Sequence, residues 1–355
     1  MTHPAASPSW VPGSPCTPEV CLRDPAHAAG IARRVMRCVA CVAVVVAGVA
    51  LSSAVARMRP PVRHALVRAW ARAVLRTLGV RVRVLKYEAT ARPATPGGVP
   101  HSTAALIPAP TSSPSSSPAP AAHPVRGELL VANHISWLDI ALLAIVRPAR
   151  MVAKREVGEW PVLGRFVARG GTVFVARDRP RSLPGDVAAI AAALRTGSSV
   201  GVFPEGSTWC GARQGPFRRA VFQAALDAGA TVRPVVLRYL GPDGGPAREA
   251  AFVGEDTLAA SLWRVAGVCG IVAEARVLRA IPPGEYPDRR KLAAAAQGMV
   301  AQAGRPEDGP EPVGTRERVA PRARRVTTYR AAPVHQLGAA RGVPSGRWQP
   351  SAEGG

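Results

Sequence analysis

A histidine and an aspartate that stand five residues apart are the pair in this sequence whose chemistry first suggests catalysis. The apolar run Leu129–Ala132 has the character of a buried strand, and Asn133, His134 and then Asp139 follow it. In one straight helix, side chains five residues apart point about 140° away from each other, because a helix has 3.6 residues per turn. The two side chains can therefore meet only across a strand-to-helix turn, and the pattern predicts such a turn here.

A paired carboxylate and imidazole suit proton transfer. A carboxylate bonded to one imidazole nitrogen fixes the tautomer and leaves the other nitrogen free to accept a proton from a hydroxyl. A histidine and an aspartate at this spacing are also compatible with an ordinary structural role. Other parts of the sequence must decide between these interpretations.

Three further blocks follow in the same part of the chain. The second block, 171–177, brings an arginine to the end of a strand-like run; the third, 203–208, follows another strand-like run; and the fourth, 232–236, is itself strand-like. In this order the four blocks resemble the glycerolipid acyltransferase family, which is typified by lysophosphatidate acyltransferases. The resemblance covers roughly residues 125 to 240, with weaker similarity through the preceding apolar segment.

This resemblance implies a fold and a reaction. The fold is the α/β, glycerol-3-phosphate acyltransferase-like mixed sheet flanked by helices. The reaction is transfer of a fatty acyl group from acyl-CoA or acyl-carrier protein, the co-substrates, to the free hydroxyl of a lysolipid. The acceptor expected first is 1-acyl-sn-glycerol-3-phosphate, which gives phosphatidic acid. His134 is implied as the general base and Asp139 as its orienting partner, and no metal or redox cofactor is expected.

The same resemblance implies the residues that bind the acceptor. They are the cationic side chains Lys154 and Arg177 and three residues of the third block, Glu205, Gly206 and Ser207. Surface ion pairs are the alternative interpretation for the two cations. For the third block the alternative is a simple backbone turn, which is compatible with binding.

One departure from the family pattern bears on the acceptor. The third block of the family commonly ends in Thr-Arg, and this chain has Ser207 and Thr208 there. Arginine suits phosphate because its planar guanidinium can form two hydrogen bonds at once, which threonine cannot do. Either a nearby arginine (Arg213, Arg218 or Arg219) replaces it, or the acceptor lacks a terminal phosphate, as lyso-ornithine lipids do.

The elements that position these residues alternate between strand-like and helix-like runs. The strand-like runs are 128–132, 172–176, 199–203 and 231–239, and the helix-like runs are 138–145, 186–194 and 217–228. Such alternation is typical of α/β layering. Polar residues at strand ends are then natural candidates for a site. We expect the acyltransferase domain to span residues 125–303.

Charge and hydropathy favour a membrane over nucleic acid. The formal charge is +23, from 46 Lys and Arg against 23 Asp and Glu. Twelve of the cations lie between Arg33 and Lys86, around an uncharged run at 38–56 that is long enough to span a bilayer as a helix. We therefore predict a membrane anchor at 31–59, with a cleaved signal segment or a buried core helix as alternatives. Positive charge after the run places the catalytic domain on the cytoplasmic side of the cell membrane.

The segment 60–90 is predicted to hold a basic amphipathic helix and a first strand. An apolar side chain recurs at every fourth position from Val62 to Leu78, with arginines on the opposite face. Such a helix lies in the headgroup layer or packs as an ordinary surface helix. Gly79 ends it, and the alternation at 80–85 predicts a strand.

The rest of the chain is predicted to be disordered. Segments 1–30, 91–124 and 304–355 are rich in Pro, Ser, Ala or Arg and show no hydrophobic period. The Cys38/Cys41 pair has no second pair at metal spacing and is interpreted as two ordinary residues of an apolar helix. No aromatic platform for nucleic acid is apparent, which argues against a nucleic-acid-binding protein. The alternative of another class is a non-catalytic, membrane-bound interaction protein.

Overall fold

A mixed sheet organises the described part of the chain. The computed structural model describes residues 13–22, 28–86, 126–159, 169–176 and 180–305. Its strands are β1 Arg81–Lys86, β2 Glu128–Ala132, β3 Arg150–Lys154, β4 Val173–Val175, β5 Val200–Val202, β6 Thr231–Leu240 and β7 Val272–Val277. They form one sheet in the order β1-β7-β6-β2-β5-β3-β4. The β6–β7 pair is antiparallel and the other pairs are parallel.

Helices cover both faces of the sheet. They are α1 Pro18–Cys21, α2 Ile31–Ala56, α3 Pro60–Thr77, α4 Asp139–Val146, α5 Arg155–Glu159, α6 Leu183–Arg195, α7 Ala220–Ala228, α8 Leu258–Gly267 and α9 Arg289–Ala303. Successive residues of β2 contribute to opposite faces: Leu130 belongs to the core beneath α3 and α4, and Leu129 and Val131 belong to the core beneath α6, α7 and α9. The predicted α/β mixed sheet flanked by helices is confirmed.

Helices α2 and α3 form a hairpin against the domain. Helix α2 contains the predicted apolar run, and it is long and apolar enough to cross a membrane. Near its start, Arg37 donates to the carbonyls of Ala266 and Val268, and farther along, the indole nitrogen of Trp70 donates to Val44 at 3.0 Å. The helix within the predicted anchor is therefore present and packs in part on the domain, while spanning of a bilayer stays a prediction.

The apolar stripe of α3 has two different environments. Val74, in its C-terminal half, and Leu78, directly after the helix, are buried in the core, as an ordinary packed helix requires. Val62 and Leu66, in its N-terminal half, are exposed. Gly79 follows with a positive φ of 77°, and β1 begins two residues later, as the pattern predicted.

The N-terminal lead differs from its predicted disorder within residues 13–22. This segment forms helix α1 and buries Cys16 and Cys21. Composition missed it because the segment has no apolar period, and only the two cysteines are fully buried, with Leu22 packed partly against the core. The predicted insert at 91–124 and all but the first two residues of the predicted tail at 304–355 lie outside the described residues.

Candidate active site

His134 and Asp139 meet at the end of β2. The Nδ1 atom of His134 lies 2.8 Å from Oδ2 of Asp139. The chain leaves the buried strand at Asn133, turns, and enters α4 at Asp139. The predicted juxtaposition across a strand-to-helix turn is therefore present. The His134 side chain is 19% exposed, whereas that of Asp139 is 0% exposed.

Asp139 accepts hydrogen bonds from four groups. Its Oδ2 accepts from the backbone N–H groups of Ile135 at 2.6 Å and Ser136 at 2.9 Å, besides the His134 contact. Its Oδ1 accepts from the Tyr239 hydroxyl at 2.6 Å. The carboxylate also lies in the first turn of α4, where the helix dipole favours negative charge. These contacts stabilise the ionised form in a place that excludes water.

The arrangement fixes the orientation of the imidazole ring. Because Asp139 faces Nδ1, that nitrogen carries the proton in the neutral ring and Nε2 has the free lone pair. The ring of His134 is stacked on Phe203, with centroids 3.9 Å apart and planes 5° apart. No group among the described residues hydrogen-bonds Nε2, so this atom is free to take a proton from a bound hydroxyl.

Glu205 contacts the backbone on either side of the site. Its Oε2 accepts from the backbone N–H of His134 at 2.7 Å, and its Oε1 accepts from that of Gly215 at 3.0 Å. Burial raises the pKa of Glu205 to about 8, against the two backbone donors, which lower it. Glu205 is only 3% exposed, and both of its carboxyl oxygens already accept backbone hydrogen bonds. The geometry therefore favours a positioning role over the predicted contact with the head group.

The residues after Glu205 form a tight turn, which was the alternative interpretation of the third block and is compatible with binding. Gly206 has φ of 80°, a conformation that favours glycine, and its N–H donates to the Phe203 carbonyl at 3.1 Å. The Ser207 hydroxyl is buried and has no hydrogen-bond partner among the described residues. The predicted binding roles of Gly206 and Ser207 remain predictions.

Two residues of the site were missed by the sequence analysis. Tyr239 reaches Asp139 from β6, which extends beyond the end of β2. Asn133 joins the same two strands, since its side chain accepts from the N–H of Leu237 at 2.8 Å and donates to the carbonyl of Leu237 at 3.0 Å. Asn133 directly precedes His134, so its place in the motif could have identified it. Tyr239 lies far from the motif in the sequence, and no local pattern could have identified it.

The two predicted anion contacts are not joined to this group. Lys154 ends β3, is exposed, and pairs with Glu156 at 3.0 Å. No hydrogen bond or ion pair among the described residues links Lys154 to His134 or Asp139. Arg177 lies outside the described residues, two positions after the end of β4. Arg213, Arg218 and Arg219, which could replace the missing family arginine, are all exposed.

A groove of about 1370 Å³ lies at the opposite edge of the sheet. Its walls include apolar residues of α2 and α3, such as Leu51 and Trp70, and Glu128 at the start of β2. Several arginines line it, namely Arg63, Arg68, Arg147, Arg150, Arg169 and Arg233. The groove does not include His134, so the catalytic pair and this cationic surface are separate features.

A mixed α/β sheet with a histidine–aspartate pair at a strand end is the architecture expected of a glycerolipid acyltransferase, and the comparisons agree. The family model "Acyltransferase" matches residues 117–238. A 1-acyl-sn-glycerol-3-phosphate acyltransferase of Neisseria gonorrhoeae is 37% identical over 175 residues, which are 49% of this chain and 68% of that protein. A lyso-ornithine lipid O-acyltransferase of Pseudomonas aeruginosa is 37% identical over 182 residues, covering 50% and 67%.

A solved structure shows the same fold. The 1-acyl-sn-glycerophosphate acyltransferase PlsC of Thermotoga maritima superimposes with a TM-score of 0.52 and 15% identity, covering 77% of this chain and 95% of that chain. The chain belongs to the lysophospholipid acyltransferase family, and it is an acyltransferase enzyme. Its relatives and helix α2, the candidate membrane helix among the described residues, suggest association with a membrane.

Proposed function

We propose that this enzyme transfers a fatty acyl group from acyl-CoA or acyl-carrier protein to the free hydroxyl of a lysolipid, with His134 as the general base. The observation that carries the proposal is the 2.8 Å contact between Nδ1 of His134 and Asp139, which leaves Nε2 free. A lipid hydroxyl has a pKa far above neutrality, so it attacks poorly until a positioned base takes its proton. Asp139 stabilises the imidazolium that then forms.

The proposed step balances without a further reactant. Nε2 of His134 removes the hydroxyl proton as the lipid oxygen attacks the thioester carbonyl carbon. The new carbon–oxygen bond forms, the carbon–sulfur bond breaks, and the proton passes from the imidazolium to the departing thiol. No residue need form an acyl intermediate, and neither Ser136 nor Ser207 lies in a G-x-S-x-G turn of the kind that activates a serine nucleophile. The absence of a cofactor from this scheme stays a prediction.

We propose 1-acyl-sn-glycerol-3-phosphate as the acceptor, with lyso-ornithine lipid as the second candidate. Arg177 favours a phosphate, whereas Lys154 pairs with Glu156 and adds little support. Thr208 in place of the family's arginine favours an acceptor without a phosphate. Relatives that carry each of these two names match this chain at equal identity. Arg213, Arg218 and Arg219 are exposed near the third block and can supply the cation that position 208 lacks.

An acceptor panel with purified protein tests this proposal. Lysophosphatidate and lyso-ornithine lipid are offered separately with radiolabelled acyl-CoA or acyl-carrier protein, and the diacylated product is measured. We expect the higher kcat/KM with lysophosphatidate. A preference for lyso-ornithine lipid would select the second acceptor, and no transfer to either lipid from either donor would overturn the proposed reaction.

Arg177 offers a test of the head-group contact. We expect Arg177→Ala to raise KM for lysophosphatidate more than KM for a neutral lysolipid, because a guanidinium binds a phosphate more strongly than an uncharged group. The exposed Arg181→Ala serves as the matched control and should leave both values unchanged. Equal losses on charged and neutral acceptors would contradict a direct contact with the head group.

We also propose that the enzyme sits on the cytoplasmic face of the cell membrane, held there by α2. Large apolar side chains on this helix are exposed, including Val39 at 63% and Leu51 at 60%. The arginines that follow α2 favour the cytoplasmic side. A non-catalytic membrane protein is the weaker alternative, because the His134–Asp139 pair has the geometry of a working base.

A further inference from the structure

Three cysteines from distant parts of the chain meet outside the His134–Asp139 pair. The sulfur atoms of Cys16, Cys21 and Cys210 all lie within 4.8 Å of one another, and all three residues are buried. Within the described ranges, no other group of three His, Cys, Asp or Glu side chains comes together in this way. Two of these cysteines come from the N-terminal segment 13–22, and the third follows the third sequence block.

Segment 13–22 packs on the hydrophobic core through Cys16 and Cys21, with Leu22 partly buried beside them. Cys16 is 2% exposed and Cys21 is 8% exposed, and no other residue of 13–22 is buried. Val20, in the same four-residue helix as Cys21, is 78% exposed. The two cysteines are therefore the most deeply buried residues of this segment.

Backbone donors surround Cys210. Backbone N–H groups of Ala212 and Arg213 hydrogen-bond to it. Hydrogen bonds of this kind orient a side chain that binds a metal. The backbone N–H of the preceding residue, Trp209, donates to the His134 carbonyl at 2.8 Å. The cysteine group therefore lies one residue from a direct contact with the catalytic loop.

We propose that Cys16, Cys21 and Cys210 bind one zinc ion as thiolates, and that the ion fastens segment 13–22 to the loop beside His134. Thiolate sulfurs lie about 2.3 Å from zinc, which places them roughly 3.8 Å apart in a tetrahedron. The observed upper limit of 4.8 Å accommodates this spacing. Each thiol releases its proton to solvent as it binds the metal, and a water or a small anion completes the tetrahedron.

The metal content of the purified full chain tests the site. The protein is prepared in reducing buffer without a histidine tag, and its metals are measured by mass spectrometry. We expect about one zinc per chain in the wild type and a loss of most of it in Cys16→Ser and Cys21→Ser. Both changes lie outside the sheet, so the domain is expected to fold, which circular dichroism checks. Cys269→Ser, at a half-buried cysteine outside the group, is the control and should keep its zinc.

Cobalt substitution adds a spectroscopic readout that is independent of activity. Co²⁺ added to metal-depleted wild-type protein should give an intense near-ultraviolet thiolate-to-cobalt band. The band should weaken in Cys16→Ser and disappear when Cys210→Ser is combined with it. Three results would overturn the proposal: no zinc or cobalt binding by reduced wild-type protein, copper in place of zinc, or a disulfide between two of these cysteines after anaerobic purification.

Discussion

At the scale of single residues, Asp139 determines what His134 can do. A buried carboxylate is costly unless it is hydrogen-bonded, and this one accepts from two backbone N–H groups, a tyrosine hydroxyl and the imidazole. Burial also raises the pKa of Tyr239 well above its ordinary value, so its hydroxyl stays protonated and donates. These hydrogen bonds hold the carboxylate in line with the imidazole.

Tyr239→Phe tests this arrangement. The change removes one hydrogen bond that orients Asp139, and we expect kcat to fall about tenfold, which corresponds to a loss of about 1.4 kcal/mol of transition-state stabilisation. KM for the lysolipid should stay constant, and the pH–rate profile should shift, because the base is altered and the binding surface is not. Tyr286→Phe is the matched control. A change in KM alone, with kcat at the wild-type value, would contradict the positioning role.

Glu205 should make the stability of the domain depend on pH. Its pKa is raised from the usual 4.5 to about 8 in the folded state, so folding favours its protonated form. The resulting stability is fully present below pH 4.5 and is lost as pH rises through about 8. Thermal unfolding from pH 5 to 8 should show a falling Tm in the wild type and a flatter curve in Glu205→Gln.

The exposed Glu255→Gln is the control for this titration and should follow the wild-type curve. If Glu205→Gln and the wild type lose stability in parallel over the whole range, the buried carboxyl is not the source of the pH dependence.

At the scale of elements, the loop from Phe203 to Gly215 shapes the site around the end of β2. Phe203 stacks on the imidazole ring. Glu205 accepts a hydrogen bond from the backbone N–H of His134, and the backbone N–H of Trp209 donates to the His134 carbonyl. The loop reverses direction at Gly206, whose φ of 80° disfavours any side chain. Its backbone conformation is thus a condition for the position of the imidazole.

Gly206→Ala is predicted to disturb this loop. A side chain in the left-handed region costs roughly 1–2 kcal/mol, and we expect a comparable loss in free energy of unfolding together with slower acyl transfer. Gly298→Ala is a useful contrast, since this glycine lies within α9 with open space around it. That change should add up to about 1 kcal/mol of stability. Identical effects of the two substitutions in urea unfolding would argue against a strained turn at Gly206.

At the scale of the whole molecule, the α2–α3 hairpin presents an apolar surface that the domain does not cover. Leu51 is 60% exposed and Leu66 is 39% exposed, while the opposite sides of both helices contact the core. We expect the protein to remain in the membrane pellet after carbonate extraction. Release into the supernatant would count against an inserted helix.

Leu51→Asp tests the membrane contact at one position. A carboxylate in the bilayer interior costs about 2.5–3.5 kcal/mol at the centre of a helix, so vesicle binding should weaken strongly. Leu183→Asp, at an exposed leucine 47% accessible at the start of α6, places the same charge away from the hairpin and should leave binding unchanged. Equal vesicle binding by both variants would show that α2 does not enter the bilayer.

Local patterns predicted the parts of the fold that depend on neighbouring residues. The run before His134 identified β2, and the five-residue spacing identified the turn to Asp139, because both are properties of a short stretch of chain. Tyr239 comes from a strand one hundred residues later, and only the sheet order brings it to Asp139. For the same reason, the sequence did not predict that Cys16 and Cys210 lie close together, since their contact depends on tertiary packing.

Acyl transfer by a His134→Ala variant is the most direct test of the central claim. Radiolabelled acyl-CoA or acyl-carrier protein and lysophosphatidate are supplied to membranes that contain equal amounts of wild-type or variant protein. We predict a loss of about 10²- to 10⁴-fold in rate, because the hydroxyl loses its base, with membrane association unchanged. His64→Ala, in α3, should retain wild-type turnover. Wild-type turnover by His134→Ala would contradict the assignment of His134 as the base.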